Sequence, residues 1–436
     1  MTRSTAVLGA CATLLAAIAL HAAGPYETPP TFKASVLLPP TALKGPHFKV
    51  EETVTLEGLH RRYKITSDYG AFDALGDQLL ATRLKEVEAL ARLADTSEAE
   101  VALKAVGGAL GGAAKGAANV VANPVETAAG VPGGVGKMFG RVGRSAKRTA
   151  EKGKEAVKED GKASPSPGAE SKSAGAAAAD ATGDVAKSAL GVSAGRRRWA
   201  KDLGVDPYTS NPVLGAALDK VGQIDAAGRF ATKLVPGVGA LSMVASVNAL
   251  VYSKSPEELL KYNEDHLKAM GASADQSKAL RLNKNIRLGL QTRIVAALDA
   301  LAGVADRPAF LERAATVNSE TGAIYYAISA EMLARFHATS PLARVVPTQA
   351  AAVALTKDGR LVHLVPADYV AWTQPVAQAF GGGVQRAKED FASARPEVWI
   401  TGGASDRARR EVTAVGWKLE TGKLGPENPL AKSGGQ

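Results

Sequence analysis

A hairpin sequence decides the fold class of this 436-residue chain: residues 351–365 read AAVALTKDGRLVHLV. Apolar and β-branched residues fill both arms, as they do in strands with a buried face. The Lys-Asp-Gly segment at 357–359 separates the arms, and Asp-Gly favours the tight turn of an antiparallel hairpin. The pattern therefore predicts strands at 351–356 and 360–365.

This hairpin belongs to a small C-terminal α+β module that we predict at residues 339–422. A loop-like tail at 423–436 follows the module. Its other predicted elements are strands at 344–346, 398–400 and 417–420 and helices at 368–380 and 405–415.

The preceding residues, 196–338, have the pattern of a helical domain. The sequence Ser-Pro-Glu-Glu at 255–258 places an N-cap Ser before a Pro at the first helical position and a capping-box Glu at the third. Ser319 opens another helix, which reaches His337. Together with the module, this domain predicts an α+β chain that is predominantly α-helical.

The N-terminal part, at residues 47–158, begins with a predicted β-hairpin. β-Branched and charged residues alternate at 52–56 and 63–66, which is typical of a sheet with one solvent-facing side. Apolar residues recur at spacings of three and four over 71–94 and predict a long amphipathic helix. A glycine-rich, basic helical segment completes this part.

A disordered linker is predicted at residues 159–195, in the centre of this multi-part chain. Between Phe72 and Trp199 the sequence holds a single aromatic residue, Phe139. The linker is rich in Ala, Ser, Gly, Pro and Lys, which bury too little apolar area to offset the entropy of ordering.

The first 23 residues have the layout of a cleaved signal peptide. Arg3 supplies a positive start, residues 6–20 carry no charge, and Ala22 and Ala23 are small residues suited to cleavage. The uncharged run is shorter than the roughly 20 residues that a membrane-spanning helix needs. We therefore expect export to the periplasm, the envelope or the medium. A Pro-rich extended segment is predicted at 24–46.

Two further stretches bear on membrane contact. Gly108, Gly112 and Gly116 recur every four residues and would form a bare stripe where another helix can pack closely. The alternative is low-complexity sequence that forms a weak helix, since each Gly costs about 1 kcal/mol in a helix. Residues 234–253 carry no charge and are long enough to cross a bilayer, but Pro236 and several polar residues favour a buried helix.

An amphipathic helix with a basic face is predicted at residues 137–152. Its cations recur mostly at spacings of three and four, while one aromatic and several small apolar residues form another face. Such a helix can lie on an anionic membrane, gaining roughly 1 kcal/mol per basic residue near the surface. The alternative is a solvated face that leads into the linker. The basic face consists of Lys137, Arg141, Arg144, Arg148 and Lys152, with Phe139 as its apolar contact.

The best candidate for a binding site is the predicted strand-to-helix junction at 401–406. Two glycines follow the strand, and a Ser begins the helix, where backbone N–H groups can hold an anion. Arg side chains nearby suit phosphate or carboxylate. The alternative is a plain glycine turn with a serine N-cap. The candidate anion-binding residues are Gly402, Gly403, Ser405, Arg407 and Arg410.

Composition and motifs give no support for catalysis. The chain has one Cys, which excludes a disulfide framework and a multi-Cys metal site. The string Gly-Val-Ser-Ala-Gly at 191–195 matches a nucleophile elbow but lacks the strand that must precede its Ser. The His residues beyond the signal are too far apart for a local metal motif. We predict no catalytic residue, no metal and no cofactor.

The sequence favours a non-enzymatic envelope protein that binds an anionic membrane surface or another envelope component through its glycine-rich, basic segment. A hydrophobic fraction of 46% and a net charge of +10 exclude wholesale disorder. Export argues against a specific nucleic-acid partner. Two alternatives stay open: a ligand-binding protein or enzyme acting at the 401–406 junction, and a secreted effector that permeabilises membranes.

Overall fold

A computed structural model gives the fold of most of the chain outside its centre and its ends. All the residues that it describes belong to one compact unit. The predicted signal peptide, glycine stripe, basic face and nearly all of the predicted linker lie outside the described residues. The described residues are 25–94, 191, 193–226, 245–347 and 352–426.

The N-terminal sheet is built around β4 (His60–Ser67). β3 (Thr53–Glu57) and β2 (Phe48–Val50) pair along one edge of β4, and β5 (Gly70–Leu75) pairs along the other. β1 (Thr31–Lys33) pairs with β3, and all these pairings are antiparallel. Buried and exposed residues alternate along β3, so one face of the sheet packs on the core.

The described part of the predicted extended segment, residues 25–46, folds instead into β1 and two short helices. α1 (Ala34–Leu37) and α2 (Pro40–Leu43) follow β1 directly. Ala34, Leu38 and Ala42 are buried in the same cluster as the sheet residues. The prediction of an extended chain is wrong because small apolar residues between the prolines pack into the core, and Pro40 suits the first position of a helix.

Of two predictions for residues 47–94, one is confirmed and one is corrected. The predicted hairpin is the antiparallel pair β3 and β4, within a five-stranded sheet. The helix predicted over 71–94 begins later, as α3 (Asp77–Ala94), because β5 occupies its first residues. Gly70 begins β5 and Gly76 follows it, and their φ angles of +118° and +111° are not those of a helix.

Helices dominate the described residues from 193 to 339. α3 joins them to the sheet, because Leu90 and Leu93 at its end pack with Trp199. The first of these helices includes residues 193–195, which the sequence assigned to the linker. The helices are α4 (193–203), α5 (Pro212–Ala226), α6 (Ala245–Ser253), α7 (Pro256–Ala269), α8 (Ala274–Leu282), α9 (Leu288–Asp299), α10 (Leu311–Ala314) and α11 (Glu320–Thr339), with a 3-10 turn at Arg307–Phe310 before α10.

Helix starts follow the predicted local chemistry. Ser255 and Glu258 form the predicted capping box at the start of α7. Ser273 and Gln276 form a second one at α8. Among the helices that the structure describes, none is both long and apolar enough to cross a membrane. Of the uncharged stretch 234–253, the structure describes only the part in α6.

The C-terminal residues form a second sheet with strand order β12-β10-β8-β7-β6. β6, β7 and β8 are antiparallel, which confirms the predicted hairpin at 351–365, and β10 and β12 run parallel to β8. With the helices, the two sheets confirm the α+β class. The strands are β6 (Leu342–Val346), β7 (Ala352–Thr356), β8 (Arg360–Val365), β10 (Arg395–Ile400) and β12 (Lys418–Glu420).

The predicted helix at 368–380 is wrong in its first part. β9 (Tyr369–Val370) pairs in parallel with β11 (Gly403–Ala404), and the helix begins only at α12 (Gln374–Asp390). Pro in the first turn of α12 marks this start. The last helix, α13 (Asp406–Ala414), follows β11 with Ser405 as its N-cap, as predicted.

The helical residues and the second sheet share one core. Met332 and Phe336 of α11 belong to the same buried cluster as Leu342, Ala354 and Leu364 of the sheet. The predicted boundary between residues 338 and 339 therefore lies inside a continuous core.

Candidate functional site

A cavity of about 220 Å³ lies where the N-terminal sheet, α3, α11 and the loops around β9 and β11 meet. We call it the Asp368 cavity. Its lining comes from segments far apart in the sequence, which combine charged side chains with an apolar wall. The residues that matter for its chemistry are His60, Arg61, Asp77, Ile324, Tyr325, Ile328, Asp368, Gly402 and Gly403.

Asp368 is the residue on which these segments converge. Its Oδ2 accepts a hydrogen bond from the backbone N–H of Arg61 at 2.9 Å and another from the N–H of Asp77 at 3.3 Å. His60 Nδ1 lies 3.6 Å from the same oxygen. Asp77 is the first residue of α3, so the carboxylate also caps that helix from a distant part of the chain.

Backbone pairing fixes the position of Asp368. The N–H groups of Asp368 and Tyr369 donate to the carbonyl of Leu59 at 2.9 and 3.3 Å, and Gly403 N–H donates to the carbonyl of Asp368 at 3.2 Å. A Cβ atom at Gly402 would lie 2.1 Å from that same carbonyl oxygen. Glycine at 402 therefore allows the two chain segments to approach, which brings the carboxylate to the cavity.

Asp77 is held by two donors from β4. Arg61 Nη1 lies 2.9 Å from its Oδ2, and the Tyr63 hydroxyl donates to its Oδ1 at 2.7 Å. Burial and then the negative charge of Asp368 raise the pKa of Asp77 to about 6, although Arg61 and Tyr63 act in the opposite direction. Asp77 therefore exchanges its proton within the pH range in which most proteins work.

Asp368 keeps one oxygen free. Its side chain is 12% exposed, yet no described residue donates a hydrogen bond to Oδ1. Because Oδ1 is not fully buried, water or a ligand can donate a hydrogen bond to it. An available acceptor therefore stands in the wall of the cavity.

The charges of the lining favour a positive ligand. Asp77 and Asp368 provide two carboxylates against the one guanidinium of Arg61, which leaves one negative charge while His60 is uncharged. Arg61 pairs with Asp77 through Nη1 and lies over the ring of Phe32 at 5.2 Å, although its buried Nε has no hydrogen-bond partner among the described residues. A ligand that carries a donor group and a positive charge would match both the charge and the free oxygen.

The opposite wall is apolar and comes from α11. Ile324, Tyr325 and Ile328 line the cavity at helical spacing. Tyr325 packs edge-on against His60 with ring centroids 6.1 Å apart, and burial raises the pKa of its hydroxyl. A ligand with a charged group next to an apolar body could therefore place the charge at Asp368 and the apolar body against α11.

The predicted anion-binding residues are divided between two places. Gly402 and Gly403 line the Asp368 cavity. Ser405 lies outside it, where its hydroxyl accepts from the N–H of Ala408 at 3.0 Å and donates to Glu27 Oε2 at 2.6 Å. The start of α13 thus already contacts a carboxylate from the chain itself.

The two predicted Arg residues do not join the glycines. Arg407 donates to the carbonyl of Pro25 at 2.7 Å and lies 3.6 Å from Glu411. Arg410 is exposed on α13. Glu27 also accepts from the N–H of Trp372, so residues 25–27 tie the N-terminal segment to the start of α13.

Sequence reasoning missed the acidic residues of the cavity. Asp368 lay in a segment assigned to a helix, and Asp77 lay inside a helix that was predicted to begin earlier. A glycine before Asp77 and a proline at 375 were the available signals for the true helix starts. In the part of the chain that the structure describes, no three His, Cys, Asp or Glu side chains are grouped as metal ligands would be.

Comparison of the chain with protein-family models, with curated proteins and with solved structures found no match.

Proposed function

We propose that this chain is an exported binding protein that takes a small cationic ligand, such as a primary amine, in the Asp368 cavity. One observation supports it above all: Asp368 lines a cavity, and one carboxylate oxygen of its largely buried side chain has no donor among the described residues. An ammonium group is the donor that matches this oxygen in both hydrogen bonding and charge.

Binding is a better proposal than catalysis because both carboxylates already have structural roles. Asp368 Oδ2 accepts two backbone N–H groups, and both oxygens of Asp77 accept from Arg61 and Tyr63. What is left for a ligand is Asp368 Oδ1 and an apolar wall, beside the buried and unpartnered Nε–H of Arg61. A cavity of about 220 Å³ is below the usual range for drug-sized ligands, so the ligand is small.

Three probes of nearly the same shape test the proposal: n-butylamine, butanol and butyrate. Saturation-transfer NMR in phosphate buffer at pH 7.5 should show binding of the amine, weaker binding of the alcohol and none of the acid. An amine of five non-hydrogen atoms at about 0.8 kcal/mol each gives about 4 kcal/mol, which corresponds to a Kd in the millimolar range. Equal signals from the three probes would contradict the charge preference.

Asp368→Asn separates a binding role from a structural one. The amide oxygen can still accept from the two backbone N–H groups, while the amide NH2 replaces the free oxygen. The variant should stay folded, lose the amine and gain binding of butyrate. Asp275→Asn, at an exposed position on α8, is the matched control and should change neither. If Asp368→Asn loses the amine but does not gain butyrate, the result counts against the proposal.

Attachment to an anionic membrane surface is a second proposed function, and it rests on the sequence of the basic face. The five cations of the basic face, at roughly 1 kcal/mol each near a charged surface, are enough for salt-sensitive binding. The mature protein should float with vesicles of anionic lipid at low salt and leave them at high salt. Arg141→Gln, Arg144→Gln and Arg148→Gln together should abolish flotation.

A charge-matched control decides whether flotation needs the basic face or only net charge. Lys284→Gln, Lys388→Gln and Lys423→Gln remove three exposed charges elsewhere and should leave flotation unchanged. Equal loss in both triple variants would refute a role for the basic face. Release of an encapsulated dye at the same protein concentration would instead favour the permeabilising alternative.

A further inference from the structure

A groove of about 600 Å³ lies between α7 and α8, with α9 at its floor. We call it the α7–α8 groove. The residues that α7 gives to it are spaced as one face of a helix, and so are those of α8. They are Leu260, Asn263, Glu264, Leu267 and Lys268 from α7 and Ala274, Ser277, Lys278, Leu280 and Arg281 from α8.

A buried amide in this groove has a fixed orientation. Asn263 is 5% exposed, and its Nδ2 donates to the Thr292 hydroxyl at 3.2 Å. That hydroxyl donates its own proton to the carbonyl of Leu288 at 3.0 Å, so it can only accept from Asn263. The amide must therefore present its NH2 to Thr292 and turn its oxygen away.

The oxygen of this amide has no partner in the described part of the chain. Asn263 Oδ1 is fully buried, and no described residue donates a hydrogen bond to it. Such a group in the lining of a groove is a strong indication of a missing donor, because buried carbonyl oxygens are nearly always satisfied. A ligand that fits the groove should therefore bring a hydroxyl or amide N–H to Asn263.

The rest of the groove defines the other parts of the ligand. Leu260, Leu267 and Leu280 supply apolar surface. Lys268, Lys278 and Arg281 are exposed around it and outnumber the one carboxylate, Glu264, by two charges. The volume lies within the usual range for small-molecule sites.

We propose that the α7–α8 groove binds a single-chain anionic amphiphile with a hydrogen-bond donor beside its apolar chain, as in an N-acyl amino acid. The chain contacts the leucines, the amide N–H donates to Asn263 Oδ1, and the carboxylate pairs with the basic side chains. This site shares no residue with the Asp368 cavity, so either proposal can fail alone.

Two probes that differ by one methyl group test the donor. N-dodecanoylglycine has an amide N–H, and N-dodecanoylsarcosine has a methyl group in its place. Isothermal titration of the full chain below the micelle concentration should give about tenfold tighter binding of the glycine probe, which is one lost hydrogen bond. Equal affinities, or no binding of either probe, would overturn the proposal without any mutation.

Two variants assign the binding to this groove. Asn263→Leu should abolish the preference for the glycine probe while retaining an apolar site. Lys268→Gln with Lys278→Gln should weaken both probes about tenfold or more, whereas Lys284→Gln, outside the groove, should weaken neither. The amphiphile would bind elsewhere, and the assignment would be overturned, in either of two cases. The first is that Asn263→Leu still prefers the glycine probe, and the second is that the double lysine variant binds both probes as tightly as the native chain.

Discussion

Replacing Asp77 by Asn should change how the stability of this protein depends on pH. The folded chain holds the Asp77 proton with a pKa of about 6, whereas the ordinary value is 3.8. The folded state therefore binds more protons than the unfolded state between these two values. The stability that this group contributes is fully present below pH 3.8 and is lost as the pH rises through 6.

The magnitude follows from the difference of about two pH units. One unit corresponds to about 1.4 kcal/mol, so the native protein should lose about 3 kcal/mol of unfolding free energy through Asp77 between pH 3.5 and pH 8. Asp77 is 16% exposed, so solvent screens the interaction only weakly. Asn has no proton to lose, and its side chain can still meet Arg61 and Tyr63.

Urea unfolding of both proteins at half-unit steps of pH measures the effect. The difference in unfolding free energy, variant minus native, should move by about 3 kcal/mol in favour of the variant across the range. Contributions of titrating groups that do not interact with Asp77 cancel, since both chains share them, so the difference reports on Asp77 together with its coupling to Asp368. Asp275→Asn should give a flat difference. A flat difference for Asp77→Asn as well would refute the perturbed carboxyl.

Three further substitutions test the contacts that hold the cavity and its surroundings together. Glu86→Ala removes one of the two carboxylates that pair with the buried Arg83, the other being Glu320, and removes the acceptor of Thr209 and Asn211. It should lower the unfolding free energy by about 3 kcal/mol in urea, whereas the exposed Glu88→Ala should have little effect. Gly402→Ala forces a Cβ onto a backbone oxygen and should cost about 3 kcal/mol, while Gly382→Ala, in a helix with no atom within 4 Å, should stabilise by about 0.5 to 1 kcal/mol. Glu27→Ala should release residues 25–30, seen as faster proteolysis there with unchanged cleavage elsewhere; equal rates would show that Glu27 does not hold this segment.

Elements with strong local chemistry could be predicted from the sequence. The strand at Arg360–Val365 begins and ends where the Asp-Gly turn and the apolar pattern place it. The capping box at Ser255 sets the start of α7 in the same way. In both elements the deciding interactions join residues only a few positions apart, so they can be recognised in the sequence.

Elements that depend on distant partners were misread. Residues 70–75 continue an apolar pattern that suits a helix, but six residues of β4 offer them a ladder of backbone hydrogen bonds, and they pair as a strand. Residues 368–370 likewise pair with Leu59 and with β11 instead of starting a helix. Tertiary pairing outweighs a weak local preference in each case.

The Asp368 cavity could not be predicted from local sequence patterns, because it too depends on residues that are far apart in the chain. Asp368 and the N–H group of Asp77 that it accepts from are 291 positions apart. No spacing rule connects them, and each looks like an ordinary helix residue alone. The glycines at 402 and 403 did mark a loop that lines the cavity, and Gly402 allows the close approach to the backbone of Asp368.

The most direct test of the proposed binding site is a crystal structure of the protein soaked with n-butylamine at pH 7.5. The nitrogen should lie within hydrogen-bond distance of Asp368 Oδ1, with the butyl chain against Ile324 and Tyr325. Electron density for the amine outside the cavity would contradict the proposed site. So would an amine bound in the cavity with its nitrogen pointing away from Asp368.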